Sequence, residues 1–104
     1  MSLKLIGLMR RANAVSPGQD KAIQDVKSGK AKLLIIPSDA SKRTIRDAEN
    51  AVKGKSAQLT TVPYTNDELS KAIGLDSCTM LSVNDKGFAD ALLKSLKKES
   101  TEGM

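Results

Sequence analysis

The chain has 104 residues, with 17 lysines and arginines against 12 acidic residues, no histidine and a single cysteine. This length predicts one domain with a modest hydrophobic core. The absence of histidine excludes Ser-His-Asp and Cys-His catalysis and metal binding through imidazole, and one cysteine excludes an internal disulfide and a cysteine-rich zinc site. The lone cysteine, and the absence of an apolar run near the ~20 residues of a membrane span, predict a cytoplasmic protein.

Positive charge is concentrated towards the start of the chain. Residues 1–32 carry seven lysines and arginines against two aspartates, residues 33–64 carry five against three, and residues 65–104 carry five against seven acidic residues. A basic front and a mildly acidic rear would orient the protein on a polyanion such as RNA. A lysine-rich solvated surface explains the same distribution, so charge alone leaves both interpretations open.

The first part of the chain predicts two helices. Apolar residues at helical spacing indicate a helix over residues 3–13. A second helix is predicted to begin with Ser16 as N-cap, Pro17 at the first helical position and Gln19 three residues after the cap. Gly29 is expected to end it. The side chains predicted on its inner face are Ala22, Ile23 and Val26.

The middle of the chain predicts two strands and a third helix. Four branched apolar residues in a row, Leu33–Ile36, indicate a strand that is buried on both faces. A turn at residues 38–41 leads to the third helix, which should end at Gly54, and residues 58–63 predict the second strand. The side chains expected on the inner face of this helix are Ile45, Ala48 and Val52.

The last part of the chain begins with a capping box, in which Thr65 caps a short helix and Glu68 follows three residues later. This helix should end at Gly74, residues 78–83 predict a third strand, and Asn84 is the expected cap of the last helix. The apolar residues expected to face the core are Leu69, Ala72 and Ile73 in the short helix and Phe88, Leu92, Leu93 and Leu96 in the last one.

Helices that alternate with short strands indicate βαβ units, with helices on both faces of a central sheet. The predicted fold class is therefore α/β, a three-layer α/β/α sandwich. We assign residues 1–97 to this single domain and residues 98–104, which offer no apolar side chain to bury before the final methionine, to a flexible tail.

The start of the second helix is the best candidate for a binding site. A helix N-terminus exposes unpaired backbone N–H groups and a partial positive charge, and Gly18 lets another backbone approach closely. The polar residues predicted on the outer face of this helix and just beyond it are Asp20, Lys21, Gln24, Lys27 and Lys30. Such donors and acceptors suit base edges, while lysines suit phosphates. A solvent-facing helix with favourable caps explains the same spacing.

Two carboxylates offer an enzymatic alternative. Asp39 follows a buried strand, where α/β enzymes often place a catalytic carboxylate, and with Asp85 it could bind a hard cation in a hydrolase. Ordinary turn and capping chemistry explains both residues, so we expect no catalytic residue, no metal and no cofactor. The segment Gly54-Lys55-Ser56 is similar to the end of a P-loop, but Glu49 stands where that motif requires its first glycine.

Four segments in order resemble a known family across residues 3–96: "GLMRRANA", "PGQDKAIQDVKSGKAKLLIIPSDAS", "DELSKAIG" and "VNDKGFADALL". They resemble the kink-turn-binding ribosomal proteins, the family of large-subunit proteins L-seven-Ae and L-thirty-e, and in particular its bacterial YlxQ-like branch. The best single signature is Gly18 eleven positions before Gly29, followed by the apolar Leu33–Ile36 and the acidic turn at Asp39.

The resemblance implies an α/β/α sandwich with a four-stranded mixed sheet, in which residues 14–16 add a short strand. It also implies binding to kink-turn RNA, a sharply bent duplex with tandem sheared G·A pairs. Where the family reads guanine edges with Asn, Glu and Lys, this chain has Asp20, Lys21 and Gln24, so its contacts there must differ. Further family contact positions fall on Ser41, on Ile45, and on the loop after the fourth helix.

The leading hypothesis is a non-catalytic, monomeric, ribosome-associated protein that binds structured RNA, either a kink-turn or ribosomal RNA. The predicted RNA contacts are Gly18, Gln19, Asp20, Lys21, Gln24, Lys27, Lys30, Ser41, Leu75, Asp76 and Ser77. Arg10 and Arg11 are expected to add phosphate contacts. The alternative is a protein-interaction module on the same fold that has lost specific RNA recognition and binds through residues 65–77, which carry a net charge of −2.

Overall fold

The computed structural model describes residues 2–102, with side chains described for residues 2–99. Within these residues, five helices alternate with four strands. The helices are α1 (Ser2–Arg11), α2 (Gln19–Lys27), α3 (Lys42–Val52), α4 (Asn66–Ile73) and α5 (Lys86–Glu102), and the strands are β1 (Val15–Pro17), β2 (Leu33–Ile36), β3 (Gln58–Thr61) and β4 (Leu81–Val83).

The four strands form one mixed sheet in the order β1-β4-β2-β3. β2 and β3 are parallel, whereas β4 runs antiparallel to both of its neighbours. The short β1 is the extra strand that the resemblance implied, one residue later than expected. Because Pro17 at the end of β1 pairs with Leu81 at the start of β4, the beginning of α2 lies beside the segment that leads into β4.

Helices cover both faces of the sheet, which confirms the predicted α/β/α sandwich. Leu33 and Ile35 of β2 belong to a core cluster with α1, α4 and α5, whereas Leu34 and Ile36 belong to a second cluster with α2 and α3. All four side chains are at most 1% exposed, because successive residues of a strand point to opposite faces. The apolar run at Leu33–Ile36 is therefore a strand buried on both sides, as predicted.

Two predicted helix caps are wrong, and for the same reason. Ser16 lies in β1, its hydroxyl donates to the buried carboxylate of Asp25, and the N-cap of α2 is Gly18. The Asn84 side chain donates to Ser16 Oγ at 3.0 Å and to Asp25 Oδ2 at 3.2 Å, so Asp85 caps α5 instead. These three residues, Ser16, Asp25 and Asn84, form the Asp25 cluster. Ser16 and Asn84, which the local sequence assigned to helix caps, use their side chains in these tertiary hydrogen bonds instead.

Several elements are shorter than predicted. α1 ends at Arg11, two residues early, and Asn13 turns the chain with a φ of 59°. The second and third predicted strands shrink to Gln58–Thr61 and Leu81–Val83, because only these residues pair with a neighbouring strand. Val62, Cys78 and Met80, just outside them, stay buried, so hydrophobicity extended the predicted strands beyond their paired residues.

The inner faces of α2 and α3 also differ from the prediction. In α2, Asp25 is 5% exposed while Ile23 is only half-buried. In α3, Ala51 is 7% exposed and joins Ala48 against the sheet, whereas Ile45 retains 37% of its surface. Residues three apart share a helix face, so Ala51 extends the buried stripe in the direction opposite to Ile45. Ile45 is therefore a surface residue.

The last helix continues past the predicted domain end at residue 97. α5 runs to Glu102, and the Glu99 carboxylate accepts hydrogen bonds from the Tyr64 hydroxyl at 2.7 Å and from the Ser2 backbone N–H at 2.8 Å. Residues 98–102 of the predicted flexible tail are thus helical, and its last two residues lie outside the described residues. No helix within residues 2–102 combines the length and apolarity needed to cross a membrane.

Candidate nucleic-acid interface

The start of α2 is held open by its backbone conformation. Gly18 adopts φ 98° and ψ 144°, a region that only glycine occupies readily, and its N–H donates to the Met80 carbonyl at 2.9 Å. No side chain among the described residues caps the helix. Backbone N–H groups in the first turn therefore lack a capping partner and carry the partial positive charge of the helix N-terminus. We call residues 18–21 the α2 tip.

The predicted contact residues of α2 fall into two groups. Gln19 is half-buried, and its Nε2 donates to Asp47 Oδ2 of α3 at 3.0 Å, so this side chain joins two helices. The exposed group consists of Asp20, Lys21, Gln24, Lys27 and Lys30. The structure thus brings the predicted donors, acceptors and cations onto the outer side of α2 and the turn after it, while Gln19 is partly occupied within the protein.

The predicted loop after α4 lies beside the α2 tip. The hydrogen bond from Gly18 to Met80 connects them, and Met80 follows Ser77 by three residues, about 10 Å of extended chain. Leu75 retains 37% of its surface, and Asp76 and Ser77 are exposed. We call residues 74–77 the 74–77 loop. The α2 tip and the 74–77 loop, which the resemblance assigned to one RNA surface, are thus connected through the segment that leads into β4.

The side chain of Asn66 fixes the far end of this loop. Its Oδ1 accepts from the Cys78 N–H at 3.2 Å and from the Ser77 hydroxyl at 3.4 Å. Burial raises the pKa of the adjacent Cys78 thiol above its ordinary value, which keeps the thiol protonated at neutral pH. Hydrogen bonds to Asn66 thus hold the end of the loop at Ser77 and Cys78, and the Cys78 thiol there carries no charge.

Ser41 borders a small cavity that Asn66 also lines. It caps α3 by accepting from the Thr44 N–H at 3.1 Å. The cavity has a volume of about 250 Å³, and Ser41, Thr44, Asn66 and Thr79 contribute polar side chains to its wall. Ser41 therefore shares a cavity wall with Asn66, although its hydroxyl is already engaged in the helix cap.

Asp39 and Asp85 both serve as helix caps. Asp39 Oδ1 accepts from the Asn66 N–H at the start of α4 at 2.8 Å, and Asp85 Oδ1 accepts from the Phe88 N–H at 2.9 Å. Turn and capping chemistry, one of the two interpretations of the sequence, is confirmed for both residues. Among the described residues, no group of three or more His, Cys, Asp or Glu side chains is arranged to hold a metal ion.

Sequence reasoning missed three exposed cations on α3, namely Lys42, Arg43 and Arg46. They lie in its first two turns, and the helix packs against α2 through the contact between Gln19 and Asp47. Lys42 and Arg43 lie in the first turn, where a cation opposes the macrodipole at a typical cost of about 0.3–1 kcal/mol, so their placement does not serve the stability of α3. The signal was the run "KRTIR" directly after Ser41. We call these residues the α3 cations.

Arg10 and Arg11 lie in a different layer of the sandwich from the α2 tip and the α3 cations. They end α1, which packs in the cluster with α4 and α5, on the opposite face of the sheet from α2 and α3. The predicted cationic residues therefore divide between two faces. The ones that accompany the α2 tip are those of α2 itself and the α3 cations.

The Asp25 cluster connects the inner side of α2 to the sheet. Asp25 lies on the inner side of this helix, and its hydrogen bonds reach Ser16 in β1 and Asn84 just after β4. Ser82 of β4 extends the network by donating to Asn84 Oδ1 at 3.0 Å. Buried polar groups that are fully hydrogen-bonded fix relative orientation, so this cluster sets how α2 projects from the sheet.

The same fold occurs in solved structures. A Bacillus halodurans protein of unknown function superposes with a TM-score of 0.85 at 26% identity, covering 92% of this chain and 96% of the other. The Giardia lamblia 15.5kD RNA binding protein superposes with a TM-score of 0.74 at 21% identity, covering 92% and 82%. The protein is thus an α/β/α sandwich of the same class as that RNA-binding protein, a likeness that at this identity concerns the fold alone.

Sequence comparison identifies the family within this class. RNA-binding protein YlxQ of Bacillus subtilis (strain 168) is 31% identical over 96 residues, covering 88% of this chain and 91% of the relative. RNA-binding protein YlxQ of Enterococcus faecium is 32% identical over 92 residues, covering 85% and 84%. The chain belongs to the YlxQ family, which confirms the resemblance noted in its sequence. No protein-family model matches the sequence.

Proposed function

We propose that this protein is a non-catalytic RNA-binding protein that recognises structured, kink-turn-like RNA through the α2 tip and the 74–77 loop. The observation that carries the proposal is the uncapped start of α2, hydrogen-bonded to the segment before β4 and accompanied by exposed cations of two helices. The curated relatives are named as RNA-binding proteins, which supports the same class of ligand.

Phosphate contacts would come from the lysines of α2 and from the α3 cations. An ammonium or guanidinium group neutralises a phosphate and releases its counterion, which favours binding without regard to sequence. The backbone N–H groups of the α2 tip add donors that suit a phosphate or a base edge. This part of the interface would provide most of the affinity and hold the RNA in register.

Base recognition would come from the polar side chains at the start of α2. Asp20 can only accept hydrogen bonds and therefore suits exocyclic amino groups, whereas Gln24 both donates and accepts. Lys21 presents a donor that suits guanine O6 and N7. Leu75 in the 74–77 loop offers an apolar surface for a nucleotide that has left the stack, which is a feature of bent and bulged RNA.

The protein-interaction alternative receives less support from the structure. Its acidic segment uses one carboxylate locally, since Glu68 accepts from the Thr65 N–H in the capping box, while Asp67 forms only an exposed pair with Lys71 at 3.2 Å. Asp76 remains as an exposed acidic residue of this segment.

We further propose, as the sequence suggested, that the RNA partner belongs to the ribosome or the translation apparatus in the cytoplasm.

A gel-shift series with a kink-turn RNA and a plain duplex of equal length tests the proposal. We expect tighter binding to the kink-turn, and we expect it to persist when salt is raised, because shape and base contacts add to phosphate contacts. Lys21→Ala should weaken binding far more than Lys94→Ala, the matched change on α5. Equal, weak binding to both RNAs, with no difference between the two variants, would contradict the proposal.

A further inference from the structure

An apolar groove lies on the other side of the sheet from the α2 tip. It runs between α1 and α4, has a volume of about 640 Å³, and is floored by Leu3, Gly7, Leu8 and Ala72. The two helices approach closely here, since a Cβ on Gly7 would lie 3.2 Å from the Ala72 carbonyl oxygen. Leu8 is 52% exposed, more than any other large apolar side chain in the described part of the chain. The RNA proposal does not use this surface.

The rim of the groove is positively charged. Lys4 and Arg11 lie four residues before and three residues after Leu8, so all three share one face of α1 over about 10 Å of helix. Neither cation forms an ion pair within residues 2–99. Lys71 borders the groove on α4 and pairs with Asp67 at 3.2 Å, but both side chains are more than 70% exposed, so that pair neutralises little.

The one carboxylate on the rim is engaged elsewhere. Glu68 Oε1 accepts from the Thr65 N–H at 3.0 Å, and the Thr65 hydroxyl accepts from the Glu68 N–H at 3.2 Å. The Glu68 carboxylate is therefore hydrogen-bonded within the capping box at the start of α4. The groove as a whole combines an apolar floor with an excess of positive charge along α1, so it fits an apolar ligand with acidic flanks.

We propose that this groove docks an acidic amphipathic helix of a partner protein. A groove between two helices accepts an apolar helix face, and Lys4 and Arg11, about two turns apart on α1, can meet acidic residues that flank that face. A second copy of this chain fits poorly, because a two-fold contact would place two cationic rims against each other. RNA is the other occupant to test, because Lys4 and Arg11 would also suit phosphates, and the RNA measurement below separates it from the peptide.

Fluorescence anisotropy with a synthetic peptide tests the proposal. The probe is an 18-residue peptide with leucines at i, i+4, i+7 and i+11 among glutamates and alanines. One control peptide has the same residues with the leucines scattered around the helix, and a second has lysine in place of glutamate. The protein variants are Leu8→Glu, Leu8→Ala, the pair Lys4→Glu with Arg11→Glu, and Lys94→Glu as the matched charge control on α5.

We expect saturable binding of the acidic amphipathic peptide that weakens about ten-fold or more with Leu8→Glu and with the charge-reversed pair, and less with Leu8→Ala. Lys94→Glu should stay within about two-fold of the parent. The charge-reversed pair should prefer the lysine peptide, which shows that it still folds. Kink-turn RNA affinity should be unchanged by Leu8→Glu.

Four results would overturn the proposal. The first is no saturation by the acidic peptide up to about 1 mM, the weakest affinity that would count as docking. The second is equal binding of the scattered peptide, which would show simple charge attraction. The third is self-association in sedimentation that Leu8→Glu abolishes, which would make the groove a dimer interface. The fourth is loss of RNA binding in Leu8→Glu, which would assign the groove to RNA.

Discussion

Replacing Gly18 with alanine tests the α2 tip through backbone strain alone. Gly18 has φ 98° and ψ 144°, and a Cβ built there would meet no atom within 4 Å. The substitution therefore adds no clash, and its whole cost is torsional, about 1–3 kcal/mol for a residue with a Cβ in this region. In a domain of this size, each kcal/mol lowers Tm by about 4–8 °C.

The strain can be relieved only by moving the tip. If the backbone at Gly18 rotates, its N–H loses the 2.9 Å bond to the Met80 carbonyl, and the tip shifts relative to the 74–77 loop. RNA binding would then have to restore the strained geometry. The strain of about 1–3 kcal/mol corresponds to a loss of RNA affinity of about 5- to 150-fold.

Gly54→Ala is the matched control. Gly54 follows α3, has φ 73°, and likewise has open space around a built Cβ. Its cost in stability should be about 1–2 kcal/mol, since a left-handed conformation disfavours alanine, but RNA affinity should not change. Urea unfolding followed by circular dichroism measures stability, and anisotropy with labelled kink-turn RNA measures binding. The reasoning is refuted if Gly18→Ala is destabilised like Gly54→Ala yet binds RNA as tightly as the parent.

Three further predictions concern the surroundings of the site. Arg43→Ala should reduce the slope of log K against log salt by about 0.7–0.9 in RNA-binding assays, as loss of one phosphate contact does, whereas Lys94→Ala should leave it unchanged; equal slopes would remove the α3 cations from the interface. Asp25→Ala should lower the free energy of unfolding by about 1–3 kcal/mol in urea titrations, because it removes the acceptor of the buried Ser16 hydroxyl and one of the two acceptors of the Asn84 amide, and a change below about 0.5 kcal/mol would show that the Asp25 cluster is dispensable. Hydrogen bonds from the Ser2 N–H and the Tyr64 hydroxyl lower the pKa of Glu99 below its ordinary 4.5, so its stabilising contribution is present above that pH and is lost as pH falls through the lowered pKa. Glu99→Gln should flatten stability against pH in this acidic range, and an unchanged profile from pH 3 to 7 would contradict the assignment.

Patterns that are local and redundant predicted the structure well. The run Leu33–Ile36 has the composition of a doubly buried strand, and the tertiary structure places it at the centre of the sheet. Thr65 and Glu68 form the predicted capping box, because both partners lie within one helical turn. In the capping box every deciding hydrogen bond involves neighbours in sequence. In the strand, four apolar residues in a row fit a doubly buried position whichever distant elements cover it.

Predictions failed where a polar residue had a distant partner. Ser16 and Asn84 are good capping residues, but 68 residues separate them in sequence and the sheet brings them together at Asp25. Nothing in a single sequence shows that such a pair will meet. From the sequence, Asp25 would be expected on the surface of a charged helix. It is buried because Ser16 and Asn84 provide its hydrogen bonds.

The candidate site was partly predictable for the same reasons. The α2 tip followed from Gly18 and the lysines after it, which are local features. The proximity of the 74–77 loop came from the family resemblance, and it depends on the pairing of β1 with β4. The α3 cations were missed because their relation to α2 requires the packing of two helices, here marked by the hydrogen bond from Gln19 to Asp47.

An NMR titration of isotope-labelled protein with kink-turn RNA examines the location of binding without any substitution. Amide signals of residues 18–21 and 75–77 should shift or broaden together, along with those of the α3 cations, while α5 and the groove between α1 and α4 stay unperturbed. Perturbation confined to that groove or to α5, with silent amides at Gly18 and Leu75, would contradict the central assignment.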